Sequence, residues 1–371
     1  MSSMGKFVLS VLFLWGLIWV YMQFTSKALG KLPQGERLER IQKSQNYRGG
    51  EFQNLHFTLL IPKDKDNAYG WASLLFPDEE RLIPSSPLPV IETDLKELNP
   101  EENVLVWFGH STYFIQLAGK KILIDPLFSE ISSPIPFFPK AFEMQYNYSV
   151  EHLPDLDYLI ITHDHWDHLD YETVIQLKDR VKQVVCPLGV GETLEYWGFD
   201  KEKITEMVCD DYLSDKEEKL YIYCQPARHF SGRTFTRNQT LWASYVIRAD
   251  EYRIFISGDT GYDDHFKEIE KKFGSMDLAI LDSGQHHEDW KYIHMMIPEV
   301  VNAAKDLKAK ILMPSHICKL RLAHHAWDAP MEELKDMSEN ETYSLIIPVI
   351  GEKVDLKFKN PKLNMWWRSV R

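Results

Sequence analysis

The stretch Thr162-His163-Asp164-His165-Trp166-Asp167-His168 follows directly on the apolar run Tyr158–Ile161 and sets three imidazoles and a carboxylate in an H-x-H-x-D-H pattern. So nitrogen-rich a set suits zinc, which takes such ligands at about 2.0–2.2 Å. His163 and His165 stand two apart in an extended turn and can point the same way. Asp167 and His168, expected at the start of the following helix, can face a second ion. A single histidine here would read as a satisfied surface or core imidazole. Four such groups beside a buried strand would instead crowd repelling or unsatisfied polar atoms unless something binds them.

Two ions need more ligands, and the chain offers them in a consistent place. His229 follows the strand expected over Leu220–Gln225. Asp259 follows Arg253–Ser257 within Ser257-Gly258-Asp259-Thr260-Gly261, and His316 follows Lys310–Met313. Each emerges just beyond the carboxyl end of a strand, the edge at which α/β proteins assemble sites. Glycines on both sides of Asp259 let the backbone approach an ion closely, and one carboxylate can bridge two cations. An Asp-Thr-Gly turn is the competing account of that segment.

Further strands are expected at Gln183–Cys186, Trp242–Ile247, Leu278–Leu281 and Leu345–Val349, after VLVWF, YFIQL and KILID, which begin at Val104. Helical periodicity runs through Tyr171 to about Val181, His265–Phe273 and Pro298–Leu307, with Pro298 suited to a first turn. Strands interleaved with helices indicate an α/β class with one continuous core. Residues 29–100, rich in Pro, Gly and charge, read as a linker and wrapping arm.

Taken in order, the H-x-H-x-D-H string, His229, Asp259 and His316 resemble the metallo-β-lactamase superfamily. Closer similarity is to its N-acylphosphatidylethanolamine-hydrolysing phospholipase D branch. The supporting stretches include Phe108-Gly109-His110-Ser111-Thr112, Leu123-Ile124-Asp125-Pro126, Pro226-Ala227-Arg228-His229, Gly258-Asp259-Thr260-Gly261 and His294 with Pro298-Glu299, within about Val104 to Pro330. The resemblance implies a four-layer αββα sandwich with two Zn2+ ions between its sheets. Carried over by position, His163, His165 and His229 would hold one zinc, and Asp167, His168 and His316 the other, with Asp259 bridging. Asp167, Asp259 and His294 would be the catalytic residues, His294 acting on a substrate phosphate or leaving group. The implied reaction is phosphodiester hydrolysis of an N-acylphosphatidylethanolamine-type phospholipid by metal-bound hydroxide, giving phosphatidic acid and an N-acylethanolamine. Bacterial relatives supply an alternative, a lactonase or esterase opening a sugar-phosphate lactone or similar small ester.

The chain departs from the phospholipase pattern at Ser283-Gly284-Gln285-His286-His287-Glu288-Asp289-Trp290 and at Ile317-Cys318-Lys319-Leu320. Neither stretch carries a proposed ligand, and both are expected to shape the substrate pocket. His110 reads equally as a site-lining group or as a turn histidine bonded to backbone. His286 and His287 read as exposed loop histidines with the pocket rim as the alternative, His324 and His325 as surface or packing residues, and Cys318 as a small buried hydrophobe.

Among 371 residues, 42 Lys and Arg stand against 55 Asp and Glu, a net charge of -13 that disfavours nucleic acid as a partner. Four separated cysteines support neither a disulfide framework nor a cysteine zinc site. A non-catalytic envelope protein stapled by its metals is the reading from another class, although closed structural zinc sites usually rely on cysteine. Phe7 to Phe24 is free of charge and carries Trp15, Trp19 and Tyr21, which suits a single-pass anchor better than a signal peptide cleaved near Ser26-Lys27-Ala28. Lys27, Lys31, Arg37, Arg40 and Lys43 after the run, against Lys6 before it, favour a cytoplasmic body over a periplasmic one. The expected division is an anchor or uncleaved signal over 1–28, an arm over 29–100, a catalytic domain over 101–358 and an aromatic-basic tail over 359–371. That tail, with Trp366, Trp367, Arg368 and Arg371, suits either a membrane interface or packing on the last strands. The expected partners are a membrane, through the N-terminal segment, and a phospholipid or small phosphodiester substrate.

Overall fold

The structure, a computed structural model, describes residues 27–60, 81–134, 138–215, 217, 219–234, 236–359 and 361–371. The apolar run Phe7 to Phe24 of the segment expected to anchor in a membrane, and all of that segment but residues 27 and 28, lies outside the described residues. Among those described, no helix is long and apolar enough to cross a membrane.

Helix α1 (Gly35–Gln42) and a hairpin of β1 (Tyr47–Arg48) and β2 (Glu51–Phe52) come first. The first large sheet uses β3 (Val104–Trp107), β4 (Tyr113–Leu117), β5 (Lys120–Ile124) and β6 (Leu156–Ile160), then α2 (Tyr171–Leu177), β7 (Val181–Pro187), α3 (Gly191–Tyr196) and β8 (Ile204–Met207). The second is built from β9 (Tyr212–Ser214), β10 (Leu220–Gln225), β11 (Ser244–Ala249), β12 (Tyr252–Ile256), α4 (His265–Phe273), β13 (Leu278–Asp282), α5 (Ile297–Asp306), β14 (Ile311–Ser315), α6 (Ala329–Ser338) and β15 (Ser344–Leu345). Strand β16 (Lys353–Asp355) returns to the first sheet, whose order is β16-β3-β4-β5-β6-β7-β8; the second runs β15-β14-β13-β12-β11-β10-β9. Each sheet is antiparallel at one end and parallel at the other, with β5 to β8 and β12 to β15 parallel.

Period-two alternation explains the layers. Register aligns Leu105, Ile115, Ile122 and Tyr158 in one row of the first sheet and Ile222, Ile247, Ile254 and Leu278 in one row of the second. These rows share one core cluster, the filling between the sheets. The opposite row of the first sheet, Val106, Phe114, Leu123, Leu159 and Val184, packs with Val174 and Leu177 of α2 and Leu194 of α3. On the outer face of the second sheet Phe255 meets Phe266 of α4 with ring centroids 6.0 Å apart. Helix, sheet, sheet and helix therefore stack in that order, a mixed α/β sandwich.

Several boundaries differ from expectation. The helix beginning at Tyr171 stops at Leu177, because Val181 pairs with Leu156 and opens β7. Of the strand expected over Leu345–Val349 only Leu345 is kept, with Ser344 added before it, and Pro348 offers no amide to extend the ladder. The tail packs back on the body. Trp366 and Trp367 are buried, Trp367 Nε1 donates to Glu332 at 2.8 Å, and Arg371 Nε donates to Asp328 at 2.7 Å, so neither indole is left for a membrane interface. Residues 27–60 lie against the body, where Ile41 and Phe52 are fully buried beside Leu188, Leu241 and Trp242. Burial of each such side chain contributes roughly 1.5–3 kcal/mol.

Candidate metal centre

The two sheets meet where their strands end. Ala243 N donates to Thr162 O at 3.0 Å and Tyr245 Oη to Ile161 O at 3.1 Å, which joins the loop after β6 to the second sheet. Asp125 lies beyond β5, the histidine-rich loop beyond β6, His229 beyond β10, Asp259 beyond β12 and His316 beyond β14; Asp282 is the last residue of β13. Asp167 and His168 belong to the turn preceding α2, not to the helix itself. The glycines beside Asp259 serve packing: a Cβ on Gly258 would stand 2.9 Å from Thr162 Cβ, and one on Gly261 2.1 Å from Tyr292 O.

Two groups of potential ligand atoms result. His163, His165, His229 and Asp259 form one, and His110, Asp167, His168 and His316 the other, with ligand atoms in each within 4.8 Å of one another. His163 Nε2 is 2.9 Å and His229 Nε2 3.3 Å from His165 Nδ1. In the second group Asp167 Oδ2 is 3.3 Å from His316 Nε2 and 3.7 Å from His168 Nε2. Asp259 touches both, with Oδ1 3.2 Å from His168 Nε2 and Oδ2 3.8 Å from His229 Nε2.

The far ring nitrogens show what these groups are suited to hold. Thr162 Oγ1 donates to Asp125 Oδ2 at 2.6 Å, so at 3.0 Å from His163 Nδ1 it is placed to accept that N–H. His168 Nδ1 donates to Asp125 Oδ2 at 2.8 Å, and His229 Nδ1 to Ile293 O at 2.9 Å. His316 Nδ1 faces Asp282 Oδ1 at 3.5 Å. When neutral, the rings of His163, His168 and His229 thereby carry their proton at Nδ1 and turn a bare Nε2 lone pair to the centre, the tautomer that carboxylates and carbonyls select in metal-ligating histidines. Among the described residues, buried His168 Nε2 and Asp259 Oδ1 have no hydrogen-bond partner. The residues of each group are of the kind that could hold a metal ion.

The electrostatics of the two groups differ. Burial pushes His163 and His229 well below the ordinary histidine range and His165 down to about 4, so these rings are neutral. Burial opposes charge on His168 and His316 too, but Asp259 and Asp167 outweigh it, raising His168 well above that range and His316 to about 10. Burial likewise works against charge on Asp167 and Asp259, yet His168 and its neighbours hold both carboxyls well below the usual range. Without metal, protons on His168 and His316 balance the carboxylates; a bound cation would displace them.

His294 joins this space, grouped with Asp259 and His316. Its Nδ1 donates to Asp282 Oδ2 at 2.9 Å, and its ring stacks on His316 with centroids 5.2 Å apart. His110, left open by the sequence, is fully buried with Nε2 2.9 Å from Asp167 Oδ2. His286 is buried too, stacked on His325 at 4.6 Å, because Gln285 ties its loop to Leu322 N and Ala323 N. Cys318 lies outside both groups, its Sγ 3.6 Å from Met331 Sδ. Asp125 and Asp282 received no role from the sequence. The signal was available, since both are carboxylates where an apolar strand ends, the rule that located Asp259.

The sequence pattern of a Beta-lactamase superfamily domain matches residues 120–317. An uncharacterised protein of Mycobacterium tuberculosis is 34% identical over 331 residues, which cover 88% of each chain. An N-acyl-phosphatidylethanolamine-hydrolyzing phospholipase D of Caenorhabditis elegans is 29% identical over 248 residues, 63% of this chain and 69% of its own. Among solved structures, the metallo hydrolase Igni18 of Ignicoccus hospitalis matches with a TM-score of 0.53 at 20% identity, over 69% of this chain and 99% of its own, a likeness of fold. The chain belongs to the metallo-β-lactamase superfamily and is a metal-dependent hydrolase of that family.

Proposed function

We propose that this hydrolase is a dinuclear zinc phosphodiesterase acting on a phospholipid of the N-acylphosphatidylethanolamine type. The observation that carries the proposal is the convergence of two nitrogen-rich groups on one shared carboxylate, Asp259, with His294 facing the same space. His163, His165 and His229 are assigned to one zinc, Asp167, His168 and His316 to the other, and Asp259 to both. When bound, such ions supply Lewis acidity, lowering the pKa of a water to about 7 and neutralising phosphoryl charge.

The remaining chemistry belongs to the chain. Asp282 fixes the His294 ring through Nδ1, leaving Nε2 aimed at the region of Asp259 and His316. With its Nδ1 held by Asp282, His294 is placed to offer Nε2 to a phosphoryl oxygen or to the departing alkoxide, the position of a general acid. Asp125 and Thr162 keep the rings of His168 and His163 in the required tautomers. The name of the nematode relative supports a lipid phosphodiester as substrate. We assign residues 7–24 to a single-pass anchor, which would confine enzyme and lipid to one thin layer and raise their effective concentration.

The test is a screen of the purified full chain against N-acylphosphatidylethanolamine, a soluble model phosphodiester and sugar-phosphate lactones, with and without a chelator. Chelator-sensitive turnover of the two phosphodiesters is expected. Lactone opening alone would replace this reading with the lactonase one, and retained zinc without turnover would make the metals structural.

A further inference from the structure

The ligand loop that carries His229 leaves β10 at Gln225 and gains no ladder partner, so its backbone must be held by other means. Thr260 Oγ1 and Gly261 N hold the backbone of Arg228, at 2.9 Å each, and one side chain holds that of His229. Asn54 Oδ1 accepts from His229 N at 3.0 Å, and Asn54 Nδ2 donates to His229 O at 2.8 Å. The same Oδ1 accepts from Trp242 Nε1 at 2.9 Å, and that indole also donates to Ala227 O at 3.1 Å. With its backbone bonded to Asn54 on both sides and its Nδ1 bonded to Ile293 O, the His229 imidazole has one direction left for Nε2. A carboxamide is the side-chain group that both donates and accepts in this way, and the short Asn stem loses less rotamer freedom than Gln when it does so.

Asn54 lies on the N-terminal arm, before the matched family domain of residues 120–317. The chain immediately before the arm reaches the metal centre on another side. Arg233 Nη2 donates to Ala28 O at 2.8 Å, while its Nη1 donates to Asp164 O at 3.0 Å and to Leu169 O at 2.7 Å, on either side of the metal-ligand turn. Beside His229, Arg228 Nε donates to Thr58 Oγ1 of the arm at 2.9 Å. The His229 loop is thus fastened to a segment that composition alone marks as a linker, and the histidine-rich loop to the residue just before it.

We propose that Asn54 is a positioning residue of the metal centre: by pairing with the backbone of His229 it sets the point from which that imidazole offers Nε2, making the arm a working part of the site. The proposal rests on His229 being a metal ligand. Residues bonded behind a metal ligand are worth about 10–100-fold in metal affinity, and a backbone clamp on the ligand itself belongs in that range.

The experiment is competition of apo full-length chain with a chromophoric chelator for zinc, comparing Asn54→Ala and Asn54→Asp with the unaltered chain, and with thermal unfolding recorded in parallel. Asn54→Ala is expected to weaken one of two zinc equivalents by about 10–100-fold, leave the other within about threefold, and regain phosphodiester turnover in excess zinc. Asn54→Asp keeps the acceptor but turns a carboxylate oxygen towards His229 O, so it is expected to weaken the same equivalent and carries the test if the alanine variant fails to fold. A lowered melting temperature with both affinities unchanged, or equal weakening of both equivalents, would overturn the proposal as a mere packing effect. Absence of zinc binding by the unaltered chain would overturn the metal assignment itself.

Discussion

Asp125→Asn changes one oxygen to an NH2 group at a point where three donors converge. The carboxylate accepts from Thr162 N at 2.8 Å, Thr162 Oγ1 at 2.6 Å and His168 Nδ1 at 2.8 Å. Either orientation of the amide sets a donor against a donor. With the amide nitrogen towards Thr162 N, one bond is lost and a buried N–H is left unpaired, costing about 1–3 kcal/mol. The bond to His168 also loses its charge assistance, roughly 1 kcal/mol more. Burial pulls the other way, since it pushes the Asp125 carboxyl above its usual range and a neutral amide escapes that desolvation cost. The stability of the metal-free chain should therefore change little. Zinc affinity should fall by about 10–100-fold, because the bond that holds the His168 ring in the tautomer that bares Nε2 is weakened. Chelator competition measures the affinity and thermal unfolding the stability. Zinc binding within threefold of the unaltered chain would refute the assignment of Asp125 as the group that sets the His168 tautomer.

Asp259→Asn preserves size and removes the charge shared by the two groups, so turnover should fall by orders of magnitude with loss of at least one zinc per chain, checked by metal analysis; full activity with two zincs would end the bridging assignment. In the metal-free chain His316 is raised to about 10 from 6.5, so its contribution to stability is complete below pH 6.5 and lost as pH rises through about 10. Metal-free protein should accordingly melt lower at pH 10 than at pH 6, and zinc added at pH 7 should release about two protons per chain in a calorimetric buffer series, from His168 and His316. Removal of residues 1–26, stopping short of Ala28 because Arg233 binds its carbonyl, should give a zinc-loaded chain that loses turnover on vesicles yet keeps it on dissolved short-chain lipid. Equal vesicle rates for the two chains under dilute conditions would count against the anchor.

Residues whose role depends on their own strand were legible in the sequence. The apolar runs at Tyr158 and Leu220 announced strands, and ligands at strand ends followed from that placement. Residues whose role is conferred by a neighbour were not. Asp125 and Asp282 matter because His168, His294 and His316 come to them from other strands, and Asn54 because β10 ends where the arm passes. Trp366 and Trp367 suited a bilayer or the core equally until Glu332 and the Ile347 carbonyl took their indole N–H groups. Helical periodicity carried the reading past Leu177, where pairing of Val181 with Leu156 overrode it.

Water attack at phosphorus in a lipid phosphodiester is checked by turnover of N-acylphosphatidylethanolamine in oxygen-18 water with mass analysis of both products. Phosphatidic acid and N-acylethanolamine are expected in equal amounts, with the label in the phosphate of phosphatidic acid alone. Label in a carboxylate, with the phosphodiester intact, would contradict attack at phosphorus and identify an esterase instead.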